Sequence, residues 1–198
     1  MSDIKEERNG AFSMKVSDAF IVESVFIIIS LTVLVFFRHQ SIYSLFTRGH
    51  SILNQLGIGS LIAILLFIPV SSYLWKKKDL LETVSYLEPV CSSSILIIIG
   101  VGLSAGIGEE VFFRATLQPL VGIWIASVVF VLAHAKMWAS RPFTFGKKIF
   151  VILAFSCSLL LGFMYEQQGL ISSITIHSLF DIGMLLVIKS QLKHKHNS

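Results

Sequence analysis

Two adjacent carboxylates, Glu109 and Glu110, and one guanidinium, Arg114, interrupt an apolar run that extends from Val90 to Leu117. Two later apolar runs each carry a histidine: His134 closes Phe130-Val131-Leu132-Ala133-His134, and His177 opens His177-Ser178-Leu179-Phe180-Asp181. Each ionisable group costs roughly 2.5–3.5 kcal/mol to insert into a bilayer, so those that persist pair with one another, face a cavity and carry function. Glu110 and Arg114 are four residues apart and share a helix face, as do His177 and Asp181. Glu109 projects about 100° away from Glu110 and is left for chemistry. Carboxylates and imidazoles brought together can act as general acid and base on a water, ligate a catalytic zinc or relay protons.

The elements that must position these groups are membrane helices. The chain has 198 residues, of which 54% are hydrophobic and 14% charged, and its mean hydropathy is +0.78. Soluble domains carry roughly 25% charged residues. Six apolar runs, Ala19–Phe37, Ile52–Trp75, Val90–Gln118, Leu120–Met137, Ile149–Tyr165 and Leu170–Ile188, lack the alternation of a barrel strand. Each approaches or exceeds the span of about 20 apolar residues that crosses a bilayer. The expected fold is all-α, a polytopic transmembrane bundle of about six helices with a core of four around the site.

Several positions carry expectations of their own. Glu23, in the first turns of the first run, reads as an interfacial carboxylate. Pro69 is expected to kink the second run, and Lys76-Lys77-Lys78 to anchor a surface segment that extends to Pro89. Gly100, Gly102, Gly106 and Gly108 allow a bend or a close helix contact before the acidic pair. Pro119 is expected to end the third helix. Cys91 and Cys157 lie in apolar runs and read as packing residues. Residues 1–18 lack the pattern of a secretory signal, so the first apolar run reads as a retained membrane helix. His39, His50, His194 and His196 read as solvated.

A six-helix path places thirteen cationic residues on one side of the membrane (Lys5, Arg8, Lys15; Lys76, Lys77, Lys78; Lys136, Arg141, Lys147, Lys148; Lys189, Lys193, Lys195) and two, Arg38 and Arg48, on the other. By the positive-inside rule both termini are cytoplasmic. The net charge of +4 then belongs to loops beside anionic lipid. The expected partners are membrane lipid and a peptide or protein at the membrane, and no nucleic acid. With turns at Pro119 and at Gln168-Gly169, Glu109, Glu110, His134 and His177 all lie roughly 12–23 Å below the outer face. That shared depth argues for one site, approached from the outer half or sideways between helices.

The series Glu109-Glu110-x-x-x-Arg114, Phe130-x-x-x-His134 and His177-x-x-x-Asp181 resembles the three-motif signature of the CAAX protease and bacteriocin-processing (CPBP, or Abi) family. The flanks Phe113-Arg114-Ala115-Thr116-Leu117-Gln118-Pro119 and Phe130-Val131-Leu132-Ala133-His134-Ala135 resemble its usual context. The resemblance covers about residues 95–186. It divides the chain into variable N-terminal helices with a surface segment (1–89), a catalytic core (90–190) and a basic tail (191–198). It implies a bacterial or archaeal intramembrane glutamate endopeptidase acting on prenylated CAAX-like, leader or sorting-tail peptides. Glu109 would be the general base, helped by His134. Glu110 and Arg114 would support it, and His177 with residue 181 would stabilise the oxyanion.

Position 181 departs from the commonest pattern of the family, which has Asn there. Asp181 either holds a proton and donates it, or accepts from His177 and keeps that ring a charged donor, or leaves the site weak. The four-residue spacing favours the second. Zinc is the rival chemistry, but the chain lacks His-Glu-x-x-His and places Arg114 beside the acids, so no metal or cofactor is expected. The rival functions are a non-catalytic membrane regulator or self-immunity protein, and a transporter. The short chain, with its single polar band and no inverted repeat, argues against the transporter.

Overall fold

The structure is a computed structural model, and it describes residues 14–76, 85–135 and 145–197. Lys5, Arg8, Lys77, Lys78, Lys136 and Arg141, which the sidedness argument uses, lie outside the described residues, as does most of the proposed surface segment. The described residues form helices and no strands. α1 (Val16–Thr32) continues into a π-helical turn, Val33–Phe37, and is followed by the short α2 (Ile42–Thr47) and the long α3 (Ile52–Lys76). A 3-10 turn, Ser85–Leu87, leads into α4 (Glu88–Cys91), α5 (Ile95–Glu110) and a seven-residue π-helical segment, Val111–Leu117. α6 (Gln118–Ala133), α7 (Phe145–Gln167) and α8 (Leu170–Asn197) complete the bundle.

Among the described residues, five stretches are long and apolar enough to cross a membrane, one fewer than the sequence suggests. The difference lies in Ile95–Ala133, a continuous apolar stretch of 39 residues that combines the expected third and fourth helices. It is not straight. Glu109 and His134 would be about 37 Å apart along an unbroken helix, yet their side chains meet at 3.5 Å. The chain reverses at Gly122, where φ is 82° and ψ 163°, a conformation open to glycine and hostile to other residues. The return limb to Ala133 is shorter than a full crossing.

The expected turn at Pro119 is thus displaced by three residues. Pro119 sits in the first turn of α6, where a proline is tolerated. It has no N–H to offer the Ala115 carbonyl four residues back, and Arg38 Nη1 donates to that carbonyl instead, at 3.1 Å. The second reversal falls where the sequence places it, at Gly169 with φ of 124°. α3 passes through Pro69 as one helix.

α5 is pressed between two neighbours, and its glycines face both. A side chain at Gly100 would meet Phe20 of α1, and one at Gly108 would meet Glu23 of α1. On the opposite face, Gly102 lies against Ile182 and Gly106 against Ser178, both of α8. α8 is approached from its other side by Gly59 of α3, over Thr175 and the Ser172 carbonyl. Without a hydrophobic force between helices in lipid, such close approach is what holds them together. Buried Gln55 of α3 adds a polar tie: its Nε2 donates to the His50 carbonyl at 2.7 Å, and its Oε1 accepts from Ser172 N at 3.3 Å.

The outer surfaces of the long helices expose large apolar side chains, among them Ile21, Ile28, Leu53, Leu65, Leu96 and Trp124. Such a surface is a liability in water and suits lipid. The protein is an integral membrane protein. Cys91 is buried at the end of α4, and burial pushes its thiol up to about 12, which suits a packing residue and not a nucleophile.

The helix contacts predict opposite outcomes at two glycines. Gly106→Ala drives a methyl into Ser178 and lowers stability by about 1–3 kcal/mol. Gly57→Ala in α3 meets nothing within 4 Å and is neutral or stabilising by up to about 1 kcal/mol. Thermal unfolding in detergent checks both.

Candidate active site

The site begins with the end of α5. Glu109 and Glu110 are the last α-helical residues, and the helix then widens to π geometry through Leu117. Thr116 Oγ1 donates to the Val111 carbonyl five residues back, at 2.9 Å, which matches the wider turn. π segments of this kind concentrate at functional sites. An aromatic group braces the segment: Phe113 meets Phe26, Phe112 and Phe130 edge-on, with centroids 5.0–5.5 Å apart.

Glu110 is fully buried and accepts two hydrogen bonds from two helices. Arg114 Nε donates to its Oε2 at 3.1 Å, and His177 Nδ1 donates to its Oε1 at 2.8 Å. Arg114 is also fully buried. Its Nη2 donates to Ser158 Oγ of α7 at 3.0 Å, and its guanidinium lies 5.5 Å from the Phe130 ring centroid. The pair expected from sequence is therefore present, and it does more than expected. It ties α5, α7 and α8 together and fixes the orientation of His177.

With Nδ1 committed to Glu110, His177 turns Nε2 towards Glu109 Oε2 at 3.9 Å and Asp181 Oδ2 at 3.5 Å. His134 is oriented in the same way. Its Nδ1 donates to the Phe130 carbonyl at 2.8 Å, and Nε2 faces Glu109 Oε1 at 3.5 Å. The Phe130 ring stacks on His134 with centroids 4.5 Å apart and meets His177 edge-on at 6.1 Å. Glu109, 7% exposed, thus has one imidazole nitrogen facing each oxygen, at separations too long for strong direct hydrogen bonds. A water held between carboxylate and imidazole would have a base and a polar partner within reach.

All six residues singled out in the sequence come together: Glu109, Glu110, Arg114, His134, His177 and Asp181. Asp181 faces His177 as the spacing suggests. It faces the same nitrogen that an oxyanion would need, so it competes for that donor.

Glu109, His134, His177 and Asp181 line a cavity of about 270 Å³ whose other walls are mostly apolar, including Leu66, Val70, Phe150, Leu153 and Met184. The lining also reaches Met14, Tyr86, Leu87 and Ile188, which lie towards the end of the bundle where α1 begins and α8 finishes. The free space thus extends from the polar groups towards that end of the bundle. Among the described residues, no group of three or more His, Cys, Asp or Glu side chains is arranged to hold a metal ion.

Two residues escaped the reading of the sequence. Ser158, inside the apolar run of α7, carried no signal. Glu23, expected at the interface, is 6% exposed and lies against Gly108 in the same cavity. Gly108 was the available clue, since a glycine beside an acidic pair marks a place where another chain segment comes close.

Fold and site together define a helical membrane protein with a buried carboxylate–imidazole centre. Residues 91–183 match the family described as Type II CAAX prenyl endopeptidase Rce1-like. The six residues all lie inside that match, and the matched family is a protease family within the CPBP group. A relative from Bacillus subtilis (strain 168), described as uncharacterized protein YpbD, is 33% identical over 104 residues, covering 52% of this chain and 49% of its own. The chain thus spans about half the length of the curated relative it matches. No solved structure matches the chain.

Glu110→Ala leaves Arg114 buried without its counter-charge and is expected to destabilise by about 3–5 kcal/mol. Ser158→Ala removes one hydrogen bond and costs about 1–3 kcal/mol. Unfolding in detergent measures the two side by side.

Proposed function

We propose that this protein is an intramembrane endopeptidase that hydrolyses peptide bonds in membrane-associated substrates by water activation. The observation that carries the reading is Glu109, held between two imidazole Nε2 atoms at 3.5 and 3.9 Å beside an apolar cavity. Glu109 takes a proton from water while His134 orients that water, and the oxygen attacks the scissile carbonyl. His177 Nε2–H donates to the oxygen that becomes negative, and the proton on Glu109 passes to the leaving nitrogen. Glu110 and Arg114 hold His177 and the end of α5 in register. No metal or cofactor takes part.

The substrates are peptides that enter from the end of the bundle where α1 begins: a prenylated CAAX-like C-terminus, a leader or a sorting tail. Both termini face the cytoplasm of a bacterial or archaeal cell, and lipid is the other partner. Asp181 favours a second reading, a non-catalytic membrane regulator or self-immunity protein, because it competes for the oxyanion donor.

The deciding experiment compares the membrane peptidome of host cells that express the parent chain or Glu109→Ala. Loss of specific cleavage products in the variant supports the peptidase. An unchanged peptidome with the biological effect retained in Glu109→Ala supports the regulator. In purified protein, Glu109→Gln lowers the rate by about 10²–10⁴-fold, and a strong chelator leaves the parent rate unchanged. Asp181→Asn retains activity, whereas Asp181→Ala, which leaves His177 without its neighbour, loses most of it.

A further inference from the structure

Glu23 enters the cavity from α1, outside the segment 91–183 that matches the family. It is 6% exposed, and its Oε2 is buried with no hydrogen-bond partner. The carboxyl lies against Gly108, where a β-carbon would collide with Oε2 and approach the Glu23 backbone. The absence of a side chain at 108 therefore seats this acid one residue from Glu109. Glu23 is also within electrostatic reach of Glu109, His177 and Asp181.

The carboxyls that line the cavity outnumber the side chains there that can carry positive charge. Glu109 faces two imidazoles and Asp181 faces one of the same two, and Glu23 Oε2 faces none. Among the described residues that line the cavity there are three carboxyls, two imidazoles and no lysine or arginine. The nearby Lys189 is committed elsewhere, to the carbonyls of Cys91 and Ser93. A buried carboxyl oxygen without a hydrogen bond is costly, and a cationic N–H donor brought to this carboxyl from outside offsets that cost. Charge complementarity in such a site selects partners strongly.

We propose that Glu23, with Asp181, forms a cation-recognition subsite that takes a lysine or arginine side chain of the peptide substrate beside the scissile bond. This rests on the peptidase reading for its substrate and adds a specificity to it. It also gives Asp181 a use that an asparagine would not supply, since a second carboxylate lining the same cavity adds to the negative charge that a cation meets.

The test uses the full chain in lipid nanodiscs and fluorescent apolar peptides, each carrying one lysine at a successive position and paired with its norleucine analogue. Binding and cleavage are read in the same samples. The parent is expected to bind the lysine peptide at one or two positions at least about tenfold more tightly than its analogue. That ratio falls towards one in Glu23→Gln, which keeps the shape of the side chain, and returns in part in Glu23→Asp. Equal binding of both peptides by the parent, no binding of either, or a preference that survives Glu23→Gln overturns the subsite. A lysine peptide bound through Glu23 but never cut leaves the subsite standing and overturns the peptidase reading.

Discussion

Glu110 has no exposed surface, and its two oxygens are committed to partners on different helices, Arg114 on the π-helical extension of α5 and His177 on α8. Arg114 in turn reaches Ser158 on α7. Three helices are thereby joined at one carboxylate, in surroundings where an unpaired charge is expensive. The arrangement fixes more than packing. Because Glu110 occupies Nδ1 of His177, the other ring nitrogen is aimed at Glu109 and Asp181. The Phe130 carbonyl does the same for His134. Both imidazoles are thus oriented by acceptors that are not themselves the candidate base, which leaves Glu109 between two ring nitrogens.

The glycines of α5 supply the other half of the design. Gly102 and Gly106 bring α8 close enough for His177 to reach Glu110, while Gly100 and Gly108 admit α1 on the opposite face. A helix with side chains at these positions would hold its neighbours at ordinary spacing and open the site. The acidic pair thus depends on small residues that do no chemistry.

Much of this was legible in the sequence because charge in an apolar helix has few explanations. Glu109, Glu110, Arg114, His134, His177 and Asp181 stood out by type and by helical spacing, and the structure assembles them. What stayed hidden depends on the path between helices. The reversal falls at Gly122 and not at Pro119, because a proline in the first turn of a helix costs little whereas φ of 82° demands glycine. Glu23 looked interfacial because its distance along α1 says nothing of which neighbour it faces. Ser158 was one serine among several in apolar runs. The side on which the cavity lies follows from how α3, α7 and α8 pack below the polar groups, which periodicity does not encode.

The π-helical segment Val111–Leu117 has a consequence for how the protein can vary. A π turn accommodates an additional residue relative to the α-helix, so the stretch between Glu110 and Gly122 behaves as a spacer of fixed length. Loss of a single residue there, with reversion to α-helix, would rotate the downstream limb by about 100° and carry His134 off the line to Glu109. Substitutions in this stretch are matters of fit, whereas insertions and deletions are matters of phase. Length polymorphism among natural variants should therefore be confined to the connections outside it.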